Sequence, residues 1–84
     1  MKRINIKDYN INNGTLIDVQ IPSEYVEHGA PNSINIYADT LILNHKKYLE
    51  KRKKYYIICT KGYLSKKVVT MLEYFGYDVT QVIY

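Results

Sequence analysis

Apolar and polar positions alternate along this chain in two periods, and the period changes several times. Thr15-Leu16-Ile17-Asp18-Val19 is a short β-rich run that follows the turn signal Asn12-Asn13-Gly14. Pro22 to His28 suits a single helical turn, opened by Ser23 or Pro22. Gly29-Ala30-Pro31-Asn32 reads as a loop, and Ser33 to Tyr37 alternates around Ile34 and Ile36 as a second short strand. Asp39 or Thr40 is placed to cap a helix running to about Lys51, with Leu41, Tyr48 and Leu49 on its inner face. Tyr55 to Cys59 is almost continuously apolar, the pattern of a central strand covered on both faces. From Lys66 to Phe75 the apolar residues Val68, Met71, Leu72 and Phe75 recur at helical spacing, and Gly76 follows as a C-terminal stop. Asp78 to Tyr84 is a last strand, and Ile4 to Ile6 adds an edge strand.

Strands alternating with helices predict an α/β domain, a mostly parallel sheet flanked by helices and joined by helical crossovers. In such a sheet the reactive edge lies at the carboxyl ends of the strands. Asp18, Asn35 or Ile36, and Cys59 all fall near that edge. At 84 residues the chain is expected to form a single domain over 1–84. A domain of this size buries only about 60–65% of its unfolded surface, so its margin of stability is thin.

Composition narrows the class. The chain is 46% hydrophobic and 24% charged, a globular rather than a disordered balance. Tyrosine supplies 10 aromatic residues and phenylalanine 1, with no tryptophan, and most of the tyrosines are expected at half-buried positions. No stretch approaches the ~20 apolar residues needed to cross a bilayer, and Met1 to Ile6 lacks a signal-peptide core, so no membrane association is expected. One cysteine excludes an intramolecular disulfide, and a lone thiol without an export signal points to the reducing cytoplasm. The net charge of +4 suits anionic small molecules, acidic protein partners or no particular partner. Lys51-Arg52-Lys53-Lys54 reads as a solvated helix end, and nucleic acid is not an expected partner. His28 and His45 are not at metal-ligand spacing with the cysteine, so no metal site is expected; His28 reads as a loop anchor.

The chemistry concentrates at Cys59. It ends an apolar run and opens a turn, Thr60-Lys61-Gly62-Tyr63-Leu64-Ser65, that leads straight into a helix. A thiol there lies among backbone N–H groups and beside the positive end of a helix dipole. Both favour the thiolate, which is the nucleophile. A cysteine closing a strand is also often an inert packing residue. A phosphatase reading fails on the residues, because that chemistry needs an arginine six positions after the cysteine to grip phosphate. Ser65 stands there, and no arginine follows Cys59.

Four segments together resemble the rhodanese-like domain family. Leu16 to Tyr25 is similar to its opening, apolar residues followed by Asp-Val-Arg and then Glu and an aromatic. His28-Gly29-Ala30-Pro31-Asn32-Ser33-Ile34-Asn35-Ile36 resembles its His-Ile-Pro-Gly-Ala-x-Asn-Ile segment, locally reordered. Cys59 to Ser65 is similar to its active loop, Cys-x-x-Gly-x-x-Ser, and Leu72 to Val79 to its Leu-x-x-x-Gly-Tyr-x-x-Val ending. The matches run in the family's order and are strongest over residues 16–82.

The resemblance implies a rhodanese-like fold and a sulfurtransferase that carries sulfane sulfur as a Cys59 persulfide, without a cofactor. The implied donor is a small anion such as thiosulfate, mercaptopyruvate or another persulfide. The implied acceptor is a thiol, cyanide or a protein. Thr60, Lys61, Gly62, Tyr63, Leu64 and Ser65 form the implied active loop. In it Gly62 permits the tight backbone, Lys61 attracts the donor, and Ser65 caps the helix and reaches the sulfur. Asp18 is implied as a supporting residue, and a strand-end residue satisfying loop amides is the slightly favoured reading for it. Two departures stand out: Gln20 replaces the arginine of Asp-Val-Arg, and Leu64 is apolar where active members carry a basic or polar residue. They motivate the alternative of a non-catalytic rhodanese-like binding or regulatory module.

Overall fold

A computed structural model describes residues 1–84. Five parallel strands form one sheet: β1 (Lys2–Asn5), β2 (Thr15–Asp18), β3 (Ile34–Asn35), β4 (Lys54–Ile58) and β5 (Asp78–Ile83). Their order across the sheet is β1-β5-β4-β2-β3. The helices are α1 (Pro22–His28), α2 (Ala38–Leu43), α3 (His45–Tyr48) and α4 (Tyr63–Tyr74). The α/β architecture expected from the alternation is the one observed.

Side-chain alternation splits the core over the two faces of the sheet. Ile17, Tyr55, Ile57 and Val79 point to one face, where they meet Leu41 of α2 and Val68, Val69 and Leu72 of α4. Leu16, Ile58 and Val82 point to the other, packing with Ala30, Ile4, Ile6 and Tyr9. The central strands β4 and β5 are therefore covered on both sides, which explains the near-continuous apolar run Tyr55 to Cys59 in β4. Gly76 has φ +97 and lets the chain leave α4 in a Schellman arrangement: Tyr77 N–H reaches Leu72 O at 3.0 Å and Gly76 N–H reaches Glu73 O at 2.9 Å.

Several boundaries differ from expectation. The helix read from Asp39 or Thr40 to Lys51 begins at Ala38 and breaks at Asn44. The Asn44 side-chain amide and its backbone N–H both donate to Thr40 O, at 2.9 and 3.0 Å, so the side chain competes with the helix ladder. Leu41 and Leu49 are buried as expected, but Tyr48 is 39% exposed. Neither Asp39 nor Thr40 caps α2, whose N-cap is Tyr37. Lys51 to Lys54 lies in a turn and at the start of β4, exposed, rather than on a helix. β1 covers Lys2–Asn5, and Ile6 already belongs to a 3-10 turn. Four tyrosines are half-buried, Tyr55 and Tyr77 are buried, and four are exposed. No helix is long and apolar enough to cross a membrane.

Candidate active site

β4 delivers Cys59 to the carboxyl edge of the sheet, one residue past the strand's end at Ile58. The chain then turns through Thr60, Lys61 and Gly62 and enters α4 at Tyr63, three residues earlier than the apolar periodicity implied. In its first turn Tyr63 is exposed and the buried position is the polar Ser65, which hid this turn from the apolar spacing. Gly62 is the N-cap, with φ +88, a left-handed conformation that any side chain would strain. Ser65 is therefore inside the helix and does not cap it.

This path wraps backbone donors around the sulfur. Gly62 N–H and Ser65 N–H each donate to Cys59 Sγ at 3.2 Å. Ser65 Oγ lies 3.4 Å from the same sulfur. Cys59 is only 3% exposed, at the floor of an open pocket of about 440 Å³. Thr60, Lys61, Tyr63 and Leu64 contribute to the pocket wall from the loop and α4, and Gln20, Glu24 and Tyr37 from the neighbouring segments. Of the candidates named from sequence, the structure gathers Cys59 and the residues from Thr60 to Ser65 around one point.

Asp18 sits behind this site. It is wholly buried at the end of β2, and its carboxylate accepts Gln20 N–H, Ala30 N–H and the Gln20 side-chain amide, each at 3.1 Å. That is the work of a strand-end residue satisfying loop amides. Gln20, in the place of the arginine, passes the connection on: its Oε1 accepts the Thr60 hydroxyl at 2.6 Å. Asn35 Nδ2 donates to Asp18 O and Gln20 O at 3.0 and 2.9 Å, fixing β3 to the same corner.

His28 is not the loop anchor expected of it. Its side chain is exposed on the pocket rim and nearest in charge to Glu27, at 3.6 Å. The loop after α1 is held instead by Tyr25, whose hydroxyl donates to Ser33 O at 2.7 Å. The Tyr84 phenol is pushed above its ordinary value, first by burial, then by the charges of Asp18 and Cys59. Gln81 of β5 was not singled out by sequence, yet its Nε2 donates to Gly62 O at 2.7 Å and to Ser65 Oγ at 2.9 Å. A polar residue inside the apolar run of β5 was the available signal. The structure gathers no cluster of three metal-ligating His, Cys, Asp or Glu side chains.

A parallel α/β domain with its single thiol seated in a backbone cradle at the carboxyl edge defines the class. The sequence profile of the rhodanese-like domain matches residues 3–84, and the chain belongs to that family. A rhodanese-related protein from Thermoplasma volcanium is 35% identical, with TM-score 0.86, covering 99% of this chain and 84% of its own. A rhodanese-like domain protein from Staphylococcus aureus is 28% identical, with TM-score 0.79, covering 99% and 85%. A single-domain sulfurtransferase from Saccharomyces cerevisiae shares the fold at 21% identity and TM-score 0.71, covering 98% and 81%. No curated protein matches the sequence.

Proposed function

We propose that the protein moves sulfane sulfur from a small anionic donor to a nucleophilic acceptor through a Cys59 persulfide, acting as a rhodanese-type sulfurtransferase in the cytoplasm. The observation that carries this reading is the pair of N–H groups, Gly62 and Ser65, directed at Sγ at the floor of a pocket. Donors aimed at sulfur stabilise it when it is negatively charged, both as thiolate and as persulfide. Family membership and the sulfurtransferase among its structural relatives support the same chemistry.

The proposed transfer runs in two steps. The Cys59 thiolate attacks the transferable sulfur of the donor and the bond holding that sulfur breaks: the sulfur–sulfur bond of thiosulfate or a persulfide, whose electron pair leaves with sulfite or a thiolate, or the carbon–sulfur bond of mercaptopyruvate, whose electron pair leaves with the pyruvate enolate, which then takes up a proton. The outer sulfur is now bonded to Sγ and projects into the pocket. An acceptor thiolate or cyanide attacks that outer sulfur, the bond to Sγ breaks, and Cys59 regains its electron pair as thiolate. Lys61 at the rim attracts the anionic donor, while Thr60, Tyr63 and Leu64 shape the entry. Burial of Sγ suits this exchange, because the atom that reacts in the second step stands one bond further out.

A second reading, a non-catalytic rhodanese-like binding module, draws on the same burial together with Gln20 and Leu64 where cationic groups are missing. Steady-state transfer separates them. With thiosulfate, mercaptopyruvate or glutathione persulfide as donor and cyanide as acceptor, thiocyanate is expected to form with the wild type and fall to background with Cys59→Ala. Equal rates in the two proteins would remove Cys59 from the mechanism.

A further inference from the structure

Gln81 is 2% exposed on β5, and both hydrogens of its side-chain amide are directed at the cysteine loop. One goes to Gly62 O at 2.7 Å and the other to Ser65 Oγ at 2.9 Å. The Gly62 carbonyl also receives Lys66 N–H at 3.1 Å and lies 3.0 Å from Ser65 Oγ. Three donors thus compete for two lone pairs. Two of them are N–H groups fixed by the helix and by a buried amide. Only the Ser65 hydroxyl can turn, and the other acceptor within its reach is Cys59 Sγ at 3.4 Å.

We propose that Gln81 is a positioning residue for Cys59: by occupying the Gly62 carbonyl and one lone pair of Ser65 Oγ, it directs the Ser65 O–H onto the sulfur. The inference rests on the reading that Cys59 works as a thiolate. Arg3 extends the chain. It is the register partner of Gln81 across the β1–β5 pair, and its Nε donates to Gln81 Oε1 at 3.0 Å. A guanidinium on that oxygen polarises the amide and strengthens its N–H donors. Positive charge is thereby felt at the sulfur through an amide and a hydroxyl, in a loop whose own position 64 is apolar. The arrangement also serves both forms of the sulfur. A thiol donates its S–H to Ser65 Oγ while the hydroxyl turns to Gly62 O. A thiolate or persulfide takes the hydroxyl proton in hydrogen bonding, and Gly62 O keeps Gln81 and Lys66.

The test is the pH profile of Cys59 alkylation by iodoacetamide in the wild type, Gln81→Met, Ser65→Ala and the double variant. Other charged and titratable groups share the pocket with the sulfur, Lys61 on its loop, Glu24 and His28 on α1, Tyr37 before α2 and Tyr63 on α4, and the Tyr84 phenol just past β5 is close enough to be influenced by both Cys59 and Asp18. All of them are unchanged in these variants. Gln81→Met keeps chain length and removes the donors. It is expected to displace the profile upward by about one pH unit, the effect of one hydrogen bond lost from a charged acceptor. Ser65→Ala is expected to do the same, and the double variant no more than Ser65→Ala alone. Additive displacements, or an unmoved profile in a folded Gln81→Met, overturn the proposal. If Gln81→Met does not fold, Arg3→Met on the exposed edge strand replaces it. A smaller upward displacement, absent in the Ser65→Ala background, is then expected, and no displacement overturns the proposal. Alkylation needs no sulfur donor. An intact coupling in a protein that transfers no sulfur would therefore reject the proposed function and leave this inference standing.

Discussion

The Thr60 hydroxyl donates to Gln20 Oε1 at 2.6 Å, and this bond ties the end of β2 to the loop that carries the thiol. Gln20 in turn donates to Asp18, so one buried carboxylate organises the corner beneath the pocket. Asp18→Ala leaves Ala30 N–H and Gln20 N–H buried without their acceptor. The expected loss is about 2–3 kcal/mol of folding stability, read as a lower urea midpoint at unchanged slope. An unchanged midpoint would mean that the loop amides find other partners.

Gly62→Ala places a side chain at φ +88. The expected strain is about 1–2 kcal/mol. Relief of that strain by a backbone shift moves Gly62 N–H away from Sγ. Stability and sulfur loading should therefore fall together, measured by thermal melting and by intact mass. Loss of stability with full loading would show that the Gly62 donor is dispensable.

Burial of Cys59 makes its chemistry selective by size. A bulky aromatic disulfide reagent should label the folded protein slowly and the urea-unfolded protein fast. A sulfane sulfur donor, which adds a single atom, should load the folded protein. Fast labelling of the folded state by the bulky reagent would contradict the closed position of the sulfur.

Tyr9 gives a pH-dependent prediction on the face of the sheet opposite α4. Its phenol is pushed above the ordinary value of 10.0, mainly by burial and secondarily by Tyr56. A raised value in the folded state means that folding favours the protonated phenol. That contribution is complete below pH 10.0 and is lost as pH rises through the folded-state value. Urea midpoints measured upward from pH 9 should therefore decline, and Tyr9→Phe should flatten the decline. Sulfur loading at neutral pH should not change, since Tyr9 packs away from the pocket.

The strands and the site were legible in the sequence to different depths, whereas the order β1-β5-β4-β2-β3 was not. Tyr55 to Cys59 announced a central strand because burial on both faces leaves few polar positions. The thiol's place after it was equally plain. The start of α4 was not, because in its first turn the buried position is the polar Ser65 while the large side chain of Tyr63 is exposed. The break at Asn44 depends on one side-chain amide outcompeting a backbone bond, a contest decided by local geometry. Gln81 could be seen as an odd polar residue in a buried strand, but its partners, Arg3, Gly62 and Ser65, come from three other segments and meet only once β1 pairs with β5. Asp18 was readable as a strand-end acceptor; its link to Thr60 through Gln20 was not, since the glutamine replaces the family's arginine.

The central claim is that Cys59 carries the transferred sulfur. Intact mass spectrometry after exposure to thiosulfate, mercaptopyruvate and glutathione persulfide tests it most directly. The expected result is one added sulfur on the wild type, removed by a thiol acceptor and absent from Cys59→Ser. No added sulfur with any of the three donors, or the same addition on Cys59→Ser, would contradict it.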